Sequence, residues 1–227
     1  MDRTAIDVAG LTSLVTGSAR DAKVLVVLLH GYAMRPEDLE PFAHAMGVRA
    51  LFFFPRAPLV AASQGFAWWP IDEARRAEQL AHGPRDLASV SPATLPQLRN
   101  QLGDFLRAVK DLRPSLPLVL GGFSQGGMLA SDFALHEPDG IEGLVLLSSS
   151  RISIAEWSRR QGALKKLPIL ITHGRRDPDL AFATGEALRE FHDLGGANVS
   201  WVPFDGGHET PLVVWRSLRN FLRGLGA

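Results

Sequence analysis

The sequence predicts an α/β domain built on a mostly parallel central sheet with helices on both faces. Three observations lead there. Apolar runs of strand length recur along the 227 residues. Stretches with helical periodicity separate them. Most of the runs are continuously apolar rather than alternating, the pattern of strands buried on both faces. Strands that alternate with helices imply right-handed crossovers and parallel pairing.

The elements follow in chain order. Residues 4–15 read as antiparallel edge strands. The runs at 24–29, 50–54, 116–120, 144–147 and 168–172 read as buried strands, and 198–203 as a last strand that is not uniformly apolar. Ser91-Pro92 reads as an N-cap followed by proline at the first helical position, with Leu95, Leu98, Leu102, Leu106 and Val109 recurring behind it. Thr210-Pro211 repeats the signal ahead of Val214, Leu218, Phe221 and Leu225. A helix over 126–136 stops before Pro138, and one over 180–194 stops at Gly195-Gly196. No repeat, linker or low-complexity tract interrupts this order, so residues 1–227 read as a single domain. One connection breaks the alternation. Residues 55–91 hold prolines, glycine, adjacent tryptophans and a charged run at 72–78. An excursion of that length is either functional, lying over a site, or a surface detour with one short helix.

Composition excludes several function classes. Lys plus Arg equals Asp plus Glu, 24 against 24, so no basic excess points to nucleic acid or to an anionic membrane surface. The absence of cysteine rules out disulfides, thiolate metal sites and a cysteine nucleophile, and fits a reducing cytoplasm. The N-terminal residues lack a signal-peptide core, and no apolar run is long enough to span a bilayer. Histidines and carboxylates do not cluster at ligand spacing, so neither a metal nor a cofactor is expected.

The chemistry centres on Gly122-Phe123-Ser124-Gln125-Gly126, a G-x-S-x-G pattern. The pattern alone is weak, but here it follows a predicted strand and opens a predicted helix. Such a strand–turn–helix elbow leaves no room for side chains at its flanks, hence glycine at 122 and 126. It also presents Ser124 at a helix N-terminus, where free N–H groups favour a developing oxyanion. A serine hydroxyl needs a base. His208, in the loop between the last strand and the last helix, is the candidate. The acid that orients it should be Asp177, just after the strand ending near Thr172, with Asp179 and Asp205 as competitors. Asp205 is three residues from His208 and would need an unusual turn; Asp179 reads as a helix cap. The order Ser, Asp, His along the chain is that of α/β-hydrolases. One oxyanion donor should be the Gln125 N–H. The second should come from the loop after the first long strand, with Tyr32 N–H chosen over Ala33. His30 and His173 read as structural. Phe66, Trp68 and Trp69 either wall a substrate pocket or pack the excursion onto the body.

Leu-His-Gly at 29–31, Gly-Phe-Ser-Gln-Gly-Gly at 122–127, His-Gly-x-x-Asp at 173–177 and Gly-His-Glu at 207–209 together resemble the phospholipase/carboxylesterase family of α/β-hydrolases. Pro55-Arg56-Ala57-Pro58 and Trp68-Trp69-Pro70-Ile71-Asp72 are similar to that family's proline–aromatic segment. The resemblance covers about residues 23–222. It implies a compact hydrolase with no large cap domain, in line with the short connection between the strands near 147 and 168. It also implies a serine carboxylesterase acting on small short- to medium-chain acyl esters. Acyl-protein thioesterase or lysophospholipase activity is the alternative, and a non-catalytic ligand-binding homologue the rival of another class. Monomer and homodimer both fit. Two departures bear on substrate: Tyr32-Ala33-Met34 stands where the family often has Gly-Asp, and Pro-Asp-Leu-Ala follows Asp177 in place of Val-Val-Pro.

Overall fold

Runs of β-branched and leucine residues place eight strands in one sheet in a computed structural model that describes residues 3–61 and 64–227. The N-terminal segment forms a hairpin, β1 (Arg3–Val8) and β2 (Leu11–Thr16), antiparallel as expected. Strands β3 (Val24–Leu29) and β4 (Ala50–Pro55) follow. A small hairpin, β5 (Leu59–Val60) with β6 (Phe66–Ala67), lies apart from the main sheet. Strands β7 (Leu118–Phe123), β8 (Gly143–Leu147), β9 (Pro168–Gly174) and β10 (Asn198–Phe204) complete the sheet. Its spatial order is β1-β2-β4-β3-β7-β8-β9-β10, parallel from β4 onward. Residues 62–63 of the excursion and residues 1–2 lie outside the described residues.

The alternation of side chains across each strand builds two cores. Leu25, Val27 and Leu29 of β3 face one side, packed with helices α3 (Leu95–Leu112), α4 (Gln125–His136) and α6 (Phe182–Leu194). Val24, Val26 and Leu28 face the other, against α1 (Glu40–Ala45) and α7 (Leu212–Gly224). On α7 the buried residues Val214, Trp215, Leu218 and Leu222 form one stripe, each worth roughly 1.5–3 kcal/mol when fully buried. The described residues also form the short helices α2 (Glu73–Ala81), inside the excursion, and α5 (Ile154–Trp157), with 3-10 turns at Pro36–Asp38 and Ser158–Leu164.

Several boundaries differ from the sequence reading; Thr210 is not the cap of α7, which starts at Leu212 behind Pro211. Helix α3 begins at Leu95 with Pro96 in its first turn, so Ser91 is not its cap. Ser91 instead accepts a hydrogen bond from the Ser153 hydroxyl at 2.9 Å. Strand β7 runs on to Phe123, carrying the glycines of the elbow inside the strand. Asp179 does not cap α6, which starts three residues later behind Ala181.

The sheet order sets the location of the site. From β3 the chain steps outward to β4, then crosses to β7 on the opposite flank and continues away through β8, β9 and β10. β3 and β7 stay paired to their carboxyl ends, but the connections that leave them run to opposite flanks of the sheet, which opens a crevice at the switch point.

Candidate active site

The crevice is built from the turn that ends β7. Ser124 sits between strand and helix with φ 52° and ψ −117°, a left-handed conformation that costs a serine about 1–3 kcal/mol. The surroundings enforce it. The Ser124 N–H donates to the Leu147 carbonyl at 2.9 Å, and the Ser149 hydroxyl donates to the Ser124 carbonyl at 3.3 Å. The flanking glycines are a steric requirement. A Cβ on Gly126 would lie 2.2 Å from the Leu29 carbonyl oxygen, and one on Gly122 would lie 2.4 Å from the Gly126 carbonyl carbon. Both neighbours are backbone and cannot swing aside. Gly126→Ala is expected to destabilise the fold by about 3 kcal/mol or more. In a chain of this size that lowers Tm by roughly 6–12 °C, which a thermal melt reads directly.

Asp177 and His208 come together from the loops after β9 and β10. The Asp177 carboxylate is buried. Its Oδ1 accepts the N–H groups of Asp179 (2.8 Å) and Leu180 (2.9 Å). Its Oδ2 lies 2.7 Å from His208 Nδ1. The imidazole packs on the ring of Phe123, centroids 4.8 Å apart, beside the serine turn. Among the described residues neither His208 Nε2 nor Ser124 Oγ makes a protein hydrogen bond. The Ser148 hydroxyl donates to the Glu209 carbonyl at 3.4 Å, which ties the histidine loop to the end of β8. Ser148 and Ser149 escaped the sequence reading. A run of three serines after a strand gives no signal of which carbonyls it will meet.

The remaining predicted residues sort by contact. Tyr32 and Gln125 line the crevice with Ser124. Gln125 is the first residue of α4, where an N–H has no partner inside the helix. The Tyr32 N–H has no protein acceptor among the described residues, whereas Ala33 N–H donates to the Phe66 carbonyl at 2.9 Å. That removes Ala33 as the alternative donor. Gln125 also anchors the excursion: its Oε1 accepts Trp68 N–H at 2.9 Å and its Nε2 donates to the Trp69 carbonyl at 3.0 Å. His30 is structural. Nδ1 meets the Gly31 carbonyl at 2.8 Å, and Nε2 accepts from Ala57 N–H at 3.1 Å. Burial lowers its pKa and keeps it neutral. His173 is likewise buried, its pKa lowered by desolvation, with Nε2 at 3.1 Å from the Leu180 carbonyl.

Of the three aromatic residues assigned to substrate, Trp69 alone lines the crevice. For Trp68 and Phe66 the pocket-wall alternative is corrected in favour of packing. Trp68 is 2% exposed and its indole N–H donates to the His30 carbonyl at 2.9 Å, so it packs the excursion down. Phe66 lies under the Arg56 guanidinium, 5.0 Å from its ring centroid, beside the N-terminal hairpin. Hydrophobicity alone could not separate these roles, because all three are large aromatics within four positions.

The excursion also brings unforeseen charge to the crevice. Arg76 donates to Asp179 Oδ2 at 2.8 Å, and Arg85 pairs with Asp179 Oδ1 through two nitrogens. Burial raises the Asp179 pKa, but the two guanidiniums overcome it and hold the carboxyl below its ordinary range. The Tyr32 hydroxyl donates to Glu73 at 2.5 Å, and burial together with that carboxylate pushes its pKa up to about 12. Among the described residues no group of three His, Asp or Glu side chains could hold a metal ion, and no helix is long and apolar enough to cross a membrane.

A parallel sheet with this order, an elbow after its central strand and an Asp–His pair at the same rim together define the α/β-hydrolase fold. Within it, the chain belongs to the phospholipase/carboxylesterase family, whose model matches residues 12–225. Acyl-protein thioesterase 1 of Neurospora crassa is 30% identical over 113 residues, 48% of this chain and 46% of that protein. Acyl-protein thioesterase 1 of Gibberella zeae is 29% identical over 110 residues, 47% of each. The chain spans about half the length of the curated relatives it matches. Among solved structures, esterase PE8 superposes with a TM-score of 0.78 at 24% identity, over 95% of this chain and 99% of that one. A carboxylesterase from Mesorhizobium loti gives 0.77 at 18% identity, over 99% and 100%. Acyl-protein thioesterase 2 of Zea mays gives 0.74 at 18%, over 93% and 97%. At these identities the likenesses bear on fold.

Proposed function

We propose that the chain is a single-domain serine carboxylesterase that cleaves short- to medium-chain acyl esters through an acyl-enzyme on Ser124. The observation that carries this reading is the 2.7 Å contact between the buried Asp177 carboxylate and His208 Nδ1, with the imidazole packed at a tilt on Phe123 beside the strained serine turn. The carboxylate holds the proton on Nδ1, which leaves Nε2 as the base. Ser124 Oγ attacks the ester carbonyl carbon as Nε2 takes its proton. The oxyanion meets the N–H groups of Gln125 and Tyr32, donors fixed before the charge develops. The alcohol leaves with the proton from Nε2. Water then attacks the acyl carbon with Nε2 again as base, and Ser124 is restored. The absence of cysteine supports a cytoplasmic setting, and monomer or homodimer serves this chemistry equally.

The experiment is active-site labelling. A fluorophosphonate should modify Ser124 stoichiometrically, located by peptide mass spectrometry, and abolish hydrolysis of p-nitrophenyl esters in proportion. Labelling at another residue, or no turnover of any acyl substrate, would sink the assignment. The names of the curated relatives favour a thioester substrate; acyl thioesters run beside oxygen esters of the same chain decide between them.

A further inference from the structure

The space beside Ser124 is small and partly lined by charge. It amounts to about 30 Å³, with Trp69, Ile71, Leu87, Val90, Met128 and Ile152 on its apolar sides. Arg76, Arg85 and Asp179 line it as well. A groove of about 440 Å³ shares Trp69, Ile71, Leu87, Val90, Arg76 and Arg85 with the inner pocket. Those residues form a partition between the two spaces. Several bonds hold it in place. Arg85 N–H donates to the Asp179 carbonyl at 2.9 Å, and Ala181 N–H donates back to the Arg85 carbonyl at 3.1 Å. Both guanidiniums converge on the one carboxylate. Arg76 also approaches Glu73 at 3.6 Å, and Glu73 accepts the Tyr32 hydroxyl. With Arg76 and Arg85 positive and Asp179 and Glu73 negative, the cluster balances, so it offers no surplus charge to an ionic ligand.

We infer that the Arg76–Asp179–Arg85 cluster is the specificity-determining end wall of the acyl pocket and, within the short- to medium-chain range, favours the short acyl chains. The inference rests on the esterase reading above and names the acyl class that site accepts. In an apolar channel each added methylene raises kcat/KM about fourfold. Against paired, partly buried charges a methylene gains nothing, and seating it there requires a guanidinium to leave its carboxylate. The favourable increments therefore stop where the wall begins.

Two measurements test this on the full-length chain with p-nitrophenyl acetate, butyrate, octanoate and decanoate. The wild type should hydrolyse octanoate with kcat/KM at least about tenfold below butyrate. Arg76→Ala leaves the Arg85–Asp179 pair intact and joins the pocket to the outer groove. It should raise the octanoate-to-butyrate ratio at least about tenfold. Arg76→Lys keeps a charge facing Asp179 and should stay near the wild-type ratio. General loosening of the loop would lower all four esters together and leave the ratio flat. A wild type that prefers octanoate or decanoate overturns the inference even if Arg76→Ala does not fold, and so does an unchanged ratio in a folded Arg76→Ala. Failure of every ester together with failure of labelling strikes the esterase reading itself, whereas a long-chain profile with Ser124 labelled strikes only the wall.

Discussion

Ser124→Ala should lower kcat/KM for p-nitrophenyl butyrate by about 10⁴–10⁶, the cost of removing a nucleophile whose base and acid act with it as a unit. The residual rate comes from the oxyanion donors and from substrate positioning, so it should not fall to the uncatalysed level. The same position makes a second, independent statement through stability. Ser124 is held at φ 52°, which glycine adopts without penalty. Ser124→Gly should therefore be as inactive as the alanine variant yet more stable than wild type. Strain relief of about 1–3 kcal/mol less glycine's added chain entropy, about 0.5–1 kcal/mol, leaves a net gain near 1 kcal/mol. That is a rise of about 2–4 °C in Tm. An inactive but stabilised variant is the signature of backbone strain kept for function. A Ser124→Gly protein that melted lower than wild type would show that the hydroxyl or the Cβ holds the turn together instead.

Asp177→Asn should reduce kcat about 10⁴-fold with little change in KM. The reasoning follows the atoms. Oδ1 is occupied by two backbone N–H donors, from Asp179 and Leu180. In the asparagine variant the amide oxygen must stay there, because an NH₂ group cannot accept. The NH₂ then faces His208 Nδ1 and donates to it. That forces the ring proton onto Nε2, the nitrogen needed as base, and removes the charge that stabilises the imidazolium. The loop keeps its anchors, so Tm should move by no more than about 2 °C. Asp177→Ala differs: it strands two buried N–H groups and should cost about 1–3 kcal/mol for each in stability as well. Steady-state kinetics beside thermal melts separate the two variants. An asparagine variant with near wild-type kcat would remove Asp177 from the mechanism and return attention to Asp179 or Asp205. The geometry disfavours Asp179, whose carboxylate is taken up by Arg76 and Arg85.

The departures from the family pattern noted in the sequence gain a physical meaning here. Pro178-Asp179-Leu180-Ala181 follows the candidate acid. Asp179 is the residue on which the excursion's two arginines close, while its N–H and that of Leu180 orient Asp177. One short segment thus holds the Asp177 carboxylate on one side and borders the crevice beside Ser124 on the other. Tyr32 likewise lines the crevice and sends its hydroxyl to Glu73 on α2.

What the sequence determined by itself was the mostly parallel sheet and the choice of the three side chains proposed for the chemistry. These follow from local rules. A run such as 24–29 buries both faces wherever it sits, and glycine at 126 is required by a clash with the Leu29 carbonyl that any strand–turn–helix elbow of this kind creates. A serine, an acid and a histidine each at the carboxyl end of a strand in a parallel sheet reach the same rim whatever the loops between them do. What only the tertiary structure decided was everything that depends on distant pairing. Arg76 and Arg85 lie 103 and 94 positions from Asp179, and no periodicity or composition connects them. Trp68 and Trp69 are neighbours in sequence, yet one is pinned to the His30 carbonyl and the other lines the crevice with Ser124. Chemistry is written in residue type and strand position, whereas the shape of the space around it depends on how a long connection folds back. That in turn is fixed by many weak contacts that balance only in the assembled molecule.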